Sequence, residues 1–366
     1  MTEPSPVSPG RPGDTPLRTA VVTGATGLLG TAVVTALLER GTEVRAVVRD
    51  EERARRVLPD HPALRIVRGD VTDVPGFAPA LPGADAVFHL AAYFREYYQP
   101  NADRDLLLRT NVTAVEELLR AAADSGVRTV VHTSSTGALD PDAHPGRPAD
   151  ESTPNGSPDQ PHAYRASKVR AEAVVRAFTE RQGPDGVRVP VVLPGWMWGP
   201  GDQAPTSAGR LFLAVASGAV RALPRVGNHV VDARDVAGAM IAAALRGESG
   251  RRYVVAGSWY SLDEICRGIV RAAGTGTVPR PIPAAVAHGV AGIAEAKARL
   301  TGGTPVATRT GIRTLTEGDR ARFSSARAQR ELGVVFRPLE RTLADQAAWH
   351  RTHGQLPAAA AAPGRR

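Results

Sequence analysis

The sequence predicts an α/β fold, in which a doubly wound parallel sheet carries helices on both faces. Two observations support this prediction. Short apolar runs rich in β-branched residues alternate with longer segments of helical periodicity through the first half of the chain. The first of these runs also leads directly into a glycine-rich turn and a helical pattern. In the second half helical patterns dominate, and there we expect a smaller, mostly helical substrate-binding part.

The predicted strands are short apolar runs, and the predicted helices are the periodic segments between and after them. The strands cover residues 19–23, 43–48, 64–67, 84–89, 128–134, 187–193 and 252–255. A first helical pattern runs on from Gly30 and stops at Gly41. Further helices cover residues 104–125, 163–181, 210–217, 261–273, 284–300 and 339–350.

A glycine-rich turn stands where the first strand ends. Gly24, Gly27 and Gly30 follow one another at G-x-x-G-x-x-G spacing. The first glycine permits a tight turn, the second lets the backbone approach a pyrophosphate, and the third lets helix and strand pack closely. The N–H groups at the start of the following helix can bind phosphates. This order of strand, turn and helix predicts a Rossmann-type domain that binds a dinucleotide.

These patterns divide the chain into four segments. We expect a disordered tail over residues 1–17, which contain five prolines, and a second one over residues 354–366. Residues 18–193 form the predicted NAD(P)-binding Rossmann domain. Residues 194–353 form the predicted substrate-binding part, interleaved with the last strands of the sheet.

The end of the second strand bears on the choice of cofactor. An acidic side chain at this point accepts hydrogen bonds from the adenosine ribose and selects NAD, whereas an arginine suits the 2′-phosphate of NADP. Arg49 stands at the tip of the strand and Asp50 one step beyond. We therefore predict NADP as the cofactor, with NAD as the alternative.

Three other strand ends contribute to the predicted cofactor site, because ligands of such sheets bind at the carboxyl ends of the strands. Asp70, followed by Val71, can accept a hydrogen bond from the adenine amino group. The segment from Leu90 to Ala92 contains small residues that let a cofactor lie against the backbone. The strand that ends at Thr133 runs into Ser135, whose hydroxyl we expect near the predicted helix that begins at residue 163.

Tyr164 and Lys168 lie four residues apart in a predicted helix, so both side chains leave the same face. A phenol has an ordinary pKa of about 10 and is a poor acid or base at neutral pH. An ammonium one turn away favours the phenolate and moves the tyrosine toward proton-transfer chemistry. The pair therefore predicts a general acid/base beside the cofactor.

A series of short motifs occurs in order between residues 18 and 350. They are Thr23-Gly-Ala-Thr-Gly-Leu-Leu-Gly30, Gly69-Asp-Val-Thr-Asp73, Val87-Phe-His-Leu-Ala-Ala92, Asn111, Thr133-Ser-Ser135, Tyr164 with Lys168, Leu193-Pro-Gly-Trp-Met-Trp-Gly-Pro200 and Val231-Asp-Ala-Arg-Asp-Val-Ala237. The ordered set resembles the extended short-chain dehydrogenase/reductase family, also called the NAD-dependent epimerase/dehydratase family. Within it, the chain is similar to the dihydroflavonol-reductase-like and hopanoid-associated sugar-epimerase-like branches. That likeness lies in Val44-Arg-Ala-Val-Val-Arg-Asp50, Ala91-Ala-Tyr-Phe-Arg95 and Gly199-Pro-Gly-Asp202.

The resemblance implies a role for each matching residue. Tyr164 corresponds to the general acid/base, Lys168 to the lysine that binds the nicotinamide ribose and lowers the tyrosine pKa, and Ser135 to the donor at the substrate oxygen. Asn111 matches an asparagine concerned with active-site architecture, and Pro194 with Gly195 matches a loop against the nicotinamide. The predicted catalytic residues are Ser135, Tyr164 and Lys168. The predicted cofactor-binding residues are Gly24, Thr26, Gly27, Leu28, Leu29, Arg49, Asp70, Val71, Leu90, Ala91, Ala92, Tyr164, Lys168, Pro194 and Gly195, and no metal ligand is predicted.

Composition restricts the partners and the location. The net charge is +8, but acidic residues are spread along the chain and no basic block resembles a nucleic-acid arm, so no nucleic-acid partner is expected. The single cysteine, Cys266, excludes an internal disulfide framework and favours a reducing cytoplasm. No uncharged apolar run is long enough to span a bilayer, and no membrane partner is expected. The resemblance further implies a possible homodimer through the helices at 104–125 and 163–181.

The function predicted from these residues is that of an NADP-dependent oxidoreductase, a carbonyl reductase or alcohol dehydrogenase acting on a small hydroxyl or carbonyl substrate. The alternative is a nucleotide-sugar epimerase with tightly bound NAD(P). A non-catalytic dinucleotide sensor is disfavoured because such proteins commonly lack the tyrosine–lysine pair. Dehydration is disfavoured, because sugar-nucleotide dehydratases carry an acidic pair after the fifth strand, where this chain has Thr136-Gly137.

We expect six aromatic residues either to line a substrate pocket or to belong to the core: Tyr93, Phe94, Tyr97, Tyr98, Trp196 and Trp198.

Overall fold

A single parallel sheet of seven strands organises the first part of the computed structural model, which describes residues 15–94, 102–140, 142–183, 185–301 and 309–357. Its strands are β1 (Thr19–Thr23), β2 (Glu43–Val48), β3 (Leu64–Arg68), β4 (Ala86–His89), β5 (Thr129–Thr133), β6 (Val191–Pro194) and β10 (Arg252–Val255). The strand order is β10-β6-β5-β4-β1-β2-β3, and all neighbours are parallel. This order places the carboxyl ends of β1, β4, β5 and β6 side by side.

Helices cover this sheet. They are α1 (Leu28–Leu38), α2 (Glu51–Val57), α3 (Val74–Phe77), α4 (Arg104–Leu108), α5 (Ala114–Asp124), α6 (Ala163–Gln182) and α8 (Ala233–Arg246). Helix α1 packs against α8, whereas α5 packs against α3 and α6. Apolar side chains of the strands, such as Val21, Val87 and Val130, join Leu118 of α5 and Val175 of α6 in one buried cluster. The predicted fold class is confirmed.

Two predicted elements differ clearly from the structure, one helix and one strand. The helix predicted over 104–125 is divided into α4 and α5 by a π-helical segment, Arg109–Thr113. The strand predicted from residue 187 begins only at Val191, because Pro190 has no N–H to donate to a ladder. The preceding residues still follow β5 through single contacts, such as the bond from the His132 N–H to the Pro190 carbonyl at 3.0 Å.

The chain forms two compact units. The first consists of Met1–Gly195, Ala233–Gly257 and Phe323–Phe336, and it contains the seven-stranded sheet. The second consists of Trp196–Asp232, Ser258–Arg322 and Arg337–Arg366. Residues 1–14 and 358–366 of the predicted tails lie outside the described residues.

The second unit is mostly helical. Its elements are β7 (Trp196–Trp198), α7 (Ser207–Ala216), β8 (Ala222–Pro224), β9 (Gly227–Asp232), β11 (Ser258–Ser261), α9 (Leu262–Ala273), β12 (Arg280–Ile282), α10 (Ala284–Thr301), α11 (Arg309–Arg320) and α12 (Leu339–Thr352). Strands β11, β9 and β7 form one small sheet, and β12 pairs with β8. The core of this unit contains Trp198, Phe212, Ile265 and Leu343.

Three further findings concern the described residues. No helix among them is long and apolar enough to cross a membrane. They contain no group of three or more His, Cys, Asp or Glu side chains that could hold a metal ion. The thiol of Cys266 is free and buried, and burial raises its pKa to about 12, so it remains a protonated core side chain.

Candidate active site

The glycine turn after β1 is closely packed at Gly24 and Gly30. Gly24 has a φ of +68°, and a Cβ at this position would lie 2.7 Å from the backbone nitrogen of Ala91. A Cβ on Gly30 would lie 2.2 Å from the carbonyl oxygen of Gly24, so helix α1 approaches the turn more closely than any side chain allows. Gly27 caps α1, and a Cβ there would meet only the Gly24 oxygen, at 3.4 Å. The first N–H groups of α1 follow directly after this turn, as the predicted pyrophosphate site requires.

We expect Gly24→Ala to lower the free energy of unfolding by about 1–3 kcal/mol and to weaken dinucleotide binding at least about tenfold. The substitution places a side chain on a residue with left-handed backbone geometry, and its Cβ would clash with the loop at Ala91. Gly41→Ala is the matched control, because Gly41 has a φ of +76° and a Cβ added there would meet no atom within 4 Å. Denaturant unfolding and nucleotide titration measure both effects. Equal losses in the two variants would contradict the close approach at Ala91.

The loops after β1 and β4 are joined beside this turn. The Thr23 hydroxyl is 2.9 Å from Nδ1 of His89 and accepts from the Leu90 N–H at 3.3 Å and the Ala91 N–H at 3.4 Å. Leu90, Ala91 and Ala92 are half-buried at the carboxyl end of β4. The structure thus brings the three predicted cofactor-binding residues of this loop against the glycine turn. Thr26 lies in the glycine turn, and Leu28 and Leu29 occupy the first positions of α1.

The ends of β2 and β3 carry the predicted adenosine-binding residues. Arg49 is exposed directly after β2. The next residue, Asp50, caps α2, and its carboxylate accepts a bond of 2.9 Å from the Arg53 N–H. Asp70, followed by Val71, lies after β3, and its Oδ1 accepts from the Thr72 N–H and hydroxyl, both at 2.9 Å.

Tyr164 and Lys168 lie on the first two turns of α6, which begins after the capping residue His162. Tyr164 is half-buried, and its ring meets that of Phe94 edge to face at 5.0 Å. Lys168 is only 3% exposed, and its Nζ lies 5.8 Å from the centre of the Tyr164 ring. The same Nζ donates to the carbonyl oxygen of Thr133 at 2.9 Å, which places the ammonium at the end of β5.

Burial is the main influence on the charge of this lysine. It lowers the pKa of Lys168 to about 8, while the nearby carboxylate of Glu172 acts in the opposite direction. Burial and the lysine charge also lower the pKa of His89 to about 3, and they hold the pKa of His132 well below its ordinary value. Both imidazoles are therefore neutral at physiological pH, and Lys168 is the cation of this region.

Three residues at the end of β5 have different partners. Thr133 offers its carbonyl oxygen to Lys168, and the hydroxyl of Ser134 donates to Oε1 of Glu172 on α6. The half-buried Ser135 accepts a bond of 3.1 Å from the Gly137 N–H. That bond leaves the hydroxyl hydrogen of Ser135 to be donated, as the predicted role requires.

Asn111 connects the loop after β4 to α6. It lies in the π-helical segment and is 2% exposed. Its Oδ1 accepts from the Tyr93 N–H at 2.7 Å, and its Nδ2 donates to the Ser167 hydroxyl at 3.0 Å. Ser167 in turn donates to the Tyr164 carbonyl oxygen at 2.7 Å. These contacts fit the architectural role that the sequence predicts for Asn111.

The remaining predicted residues fall into three groups. Pro194 ends β6, and the N–H of Gly195 donates to the Val255 carbonyl at 3.0 Å, so both lie at the same sheet edge as β5. Trp198 is fully buried in the core of the second unit. Tyr97 and Tyr98, together with Arg95, lie outside the described residues.

A polar cluster behind Lys168 was not predicted from the sequence. It consists of Ser134, Asn155, Glu172 and Arg252, which come from four separate parts of the chain. One signal was present: Glu172 stands four residues after Lys168, on the same helix face. The partners of Glu172 carry no such signal, because their contacts depend on the folded sheet.

Comparisons with known proteins agree with this geometry. The model of the NAD dependent epimerase/dehydratase family matches residues 20–256. The chain is 33% identical over 344 residues to sterol demethylase protein B of Methylococcus capsulatus, covering 92% of this chain and 100% of that protein. It is 29% identical over 339 residues to a putative dihydroflavonol 4-reductase of Synechocystis sp., covering 92% and 95%. A nucleoside-diphosphate-sugar epimerase from Pseudomonas aeruginosa has the same fold, with a TM-score of 0.72 and 23% identity over 92% of this chain and 99% of that one.

Proposed function

The chain belongs to the NAD dependent epimerase/dehydratase family, as its motifs predict, and we propose that it is an NADP-dependent carbonyl reductase or alcohol dehydrogenase of that family. The observation that carries this proposal is the arrangement of Tyr164 and Lys168. The half-buried phenol lies one helical turn from a buried ammonium that is fixed to the end of β5. An acid/base of this kind acts where a proton and a hydride must reach one carbonyl group.

In the direction of reduction, Tyr164 donates its proton to the carbonyl oxygen of the substrate. A nicotinamide held at this site would supply the hydride to the carbonyl carbon, and the product would be the alcohol. The Lys168 ammonium stabilises the phenolate that remains. The Ser135 hydroxyl donates a hydrogen bond to the same substrate oxygen. In the direction of oxidation, the Tyr164 phenolate accepts the proton of the alcohol.

The residues around the glycine turn fit a dinucleotide. Gly24, Gly27 and the first amides of α1 would hold the pyrophosphate, and Leu90 to Ala92 would lie along the cofactor. NADP rather than NAD is supported by the contrast between Arg49 and Asp50. The aspartate is engaged as the cap of α2, whereas the arginine is exposed at the strand tip.

We expect Arg49→Ala to raise the Kd for NADPH by about tenfold or more, because a charge-assisted contact with the 2′-phosphate is lost. The Kd for NADH should not change. Arg55→Ala is the matched control, since Arg55 is an exposed arginine of α2 that pairs with Glu51 at 2.8 Å. Fluorescence titration of both dinucleotides measures the effect. Unchanged NADPH affinity in Arg49→Ala, or equal affinity of the wild-type protein for the two cofactors, contradicts the assignment.

The experiment that tests the function has two arms. Purified protein is first denatured, and any released nucleotide is identified. Native protein is then assayed for NADPH consumption with a sterol-derived ketone and a dihydroflavonol, chosen because full-length relatives carry those names. Net NADPH consumption without a retained nucleotide supports the reductase. A stoichiometric retained dinucleotide with no net consumption overturns it in favour of the nucleotide-sugar epimerase.

A further inference from the structure

Glu172 lies directly behind Lys168, one helical turn further along α6. Its side chain is 6% exposed, yet each carboxylate oxygen has a polar partner. Oε1 accepts from the Ser134 hydroxyl, and Oε2 accepts from Nδ2 of Asn155 at 3.1 Å. A buried carboxylate is costly unless it is fully partnered. The two hydrogen bonds offset this cost and hold the carboxylate directly behind the predicted acid/base pair.

Arg252 lies beside the same carboxylate and is itself held by several hydrogen bonds. Nη1 of Arg252 lies 3.6 Å from Oε2 of Glu172 and donates to Oδ1 of Asn155 at 2.6 Å. Its Nη2 donates to the carbonyl oxygens of Glu151 and Thr153 at 2.6 and 2.7 Å. Arg252 on β10 and Asn155 in the preceding loop thus hold the carboxylate from outside α6.

Two adjacent contacts join α6 to the end of β5. Lys168 donates to the carbonyl of Thr133, and Glu172 accepts from the hydroxyl of the next residue, Ser134. Lys168 and Glu172 are one helical turn apart on α6. The residues that they contact, Thr133 and Ser134, are consecutive in the chain. These two contacts hold the side chains of Lys168 and Glu172 against the end of β5, directly before Ser135.

We propose that Glu172 is a positioning residue whose carboxylate keeps the buried Lys168 ammonium charged and fixed at the end of β5. The charged and titratable groups that face these two side chains are Tyr164 on α6, His89 on β4, His132 on β5 and Arg252 on β10. Burial keeps both histidines neutral, so they do not change charge where the lysine titrates. The role in catalysis rests on the proposed function, but the charge of Lys168 can be measured without turnover.

The composition of the chain makes this measurement direct. Only two lysines occur in the sequence, Lys168 and Lys297. Protein labelled with ¹³C-lysine therefore gives two Cε signals, and Lys168→Arg identifies the signal of Lys168 by its loss. We expect the wild-type Lys168 signal to titrate with a midpoint near pH 8. In Glu172→Gln the midpoint should fall by about one pH unit, because the amide removes the negative charge, while its oxygen can still accept from Asn155 and its NH2 group can donate to the Ser134 hydroxyl.

Two control variants separate this role from a merely structural one. Glu172→Asp keeps the charge and should retain a midpoint near that of the wild type. Glu151→Gln removes another buried carboxylate, which accepts from the Val254 N–H at 2.8 Å, and should leave the midpoint unchanged. If Glu172→Gln has the wild-type midpoint, or if Glu151→Gln lowers it equally, the proposal is overturned. Neither result would affect the outcome of the NADPH assay, which tests the function by itself.

A paired variant keeps the proposal testable if Glu172→Gln does not fold. Glu172→Gln combined with Arg252→Gln leaves no unpaired buried charge. Glu172 is the charged group that raises the pKa of Lys168, whereas the Arg252 guanidinium lies beside α6 at Glu172. We expect the Lys168 midpoint to fall in this variant as well. An unchanged or higher midpoint would overturn the proposal.

Discussion

Replacing Tyr164 by phenylalanine should lower kcat for carbonyl reduction by about 10²–10⁴-fold, the usual contribution of a positioned general acid. The phenylalanine ring keeps the edge-to-face contact with Phe94 and the cation–π contact with Lys168. Only the hydroxyl, and with it the proton donor, is lost. Steady-state kinetics with NADPH and the carbonyl substrate measure the loss. The Kd for NADPH should change by much less than kcat, because the dinucleotide contacts remain.

Tyr253→Phe is the matched control for this substitution. Tyr253 is a buried residue of β10 whose hydroxyl accepts from the Glu248 N–H at 3.3 Å, a contact outside the candidate site. Its loss should affect stability slightly and kcat hardly at all. If Tyr164→Phe retains full turnover, or if Tyr253→Phe loses as much, Tyr164 is not the acid/base.

The part of the fold that was predictable from the sequence depends on local signals. Strand β1, the glycine turn and α1 follow from β-branched residues, glycine spacing and helical periodicity, all within twenty residues or so. Strand β2 and helix α6 have equally clear patterns, and the structure places them where the sequence predicts. The ordered motifs then identify the family, and several of them mark the ends of strands in the seven-stranded sheet.

Several of the elements that were missed lack such signals. Helix α8 is rich in alanine and buried nearly all round, so it has no polar face to reveal its period. Strands β7, β8 and β12 contain three residues each, too few for a detectable alternation. The π-helical break at Arg109–Thr113 coincides with contacts of Asn111 to Tyr93 and Ser167, which no local pattern encodes.

The candidate site shows the same division. Its residues at strand ends, such as Gly24 and Ser135, and the pair Tyr164 and Lys168 on α6, were named from the sequence. The partner of the Lys168 ammonium is a backbone carbonyl, and side-chain identity carries no information about it. The Ser134 hydroxyl meets Glu172 across 38 positions of the chain, which only the packing of α6 on β5 brings together. The sequence therefore carries signals for the candidate site residues themselves, but not for the contacts that position them.

Lys168→Met should abolish most of the activity and yet stabilise the fold. We expect kcat to fall by about 10²-fold or more, because the ammonium beside the phenol is lost. The loss should appear in both reaction directions, since the ammonium stabilises the phenolate in each. Steady-state kinetics with NADPH and with NADP measure it. A methionine variant with wild-type kcat would remove Lys168 from the mechanism.

The expected gain in stability follows from the pKa of the lysine. Burial lowers this pKa from 10.5 to about 8, which corresponds to about 3 kcal/mol of destabilisation at neutral pH. The lost hydrogen bond to Thr133 offsets about 1 kcal/mol of the relief. Glu172 keeps its bonds to Ser134 and Asn155, so no unpartnered carboxylate remains. At pH 7 we therefore expect the variant to be more stable by about 1–2 kcal/mol.

The pH dependence of this gain identifies its cause. Below pH 8 the lysine is charged in both the folded and the unfolded protein, and the cost of burial is complete. Between pH 8 and 10.5 the unfolded protein binds more protons, so the wild-type protein gains stability as the pH rises. Above pH 10.5 the lysine is neutral in both states, and the advantage of the methionine variant should disappear. Denaturant unfolding at several pH values measures this difference, and a variant that is less stable than the wild type at pH 7 would show that the buried ammonium stabilises the fold.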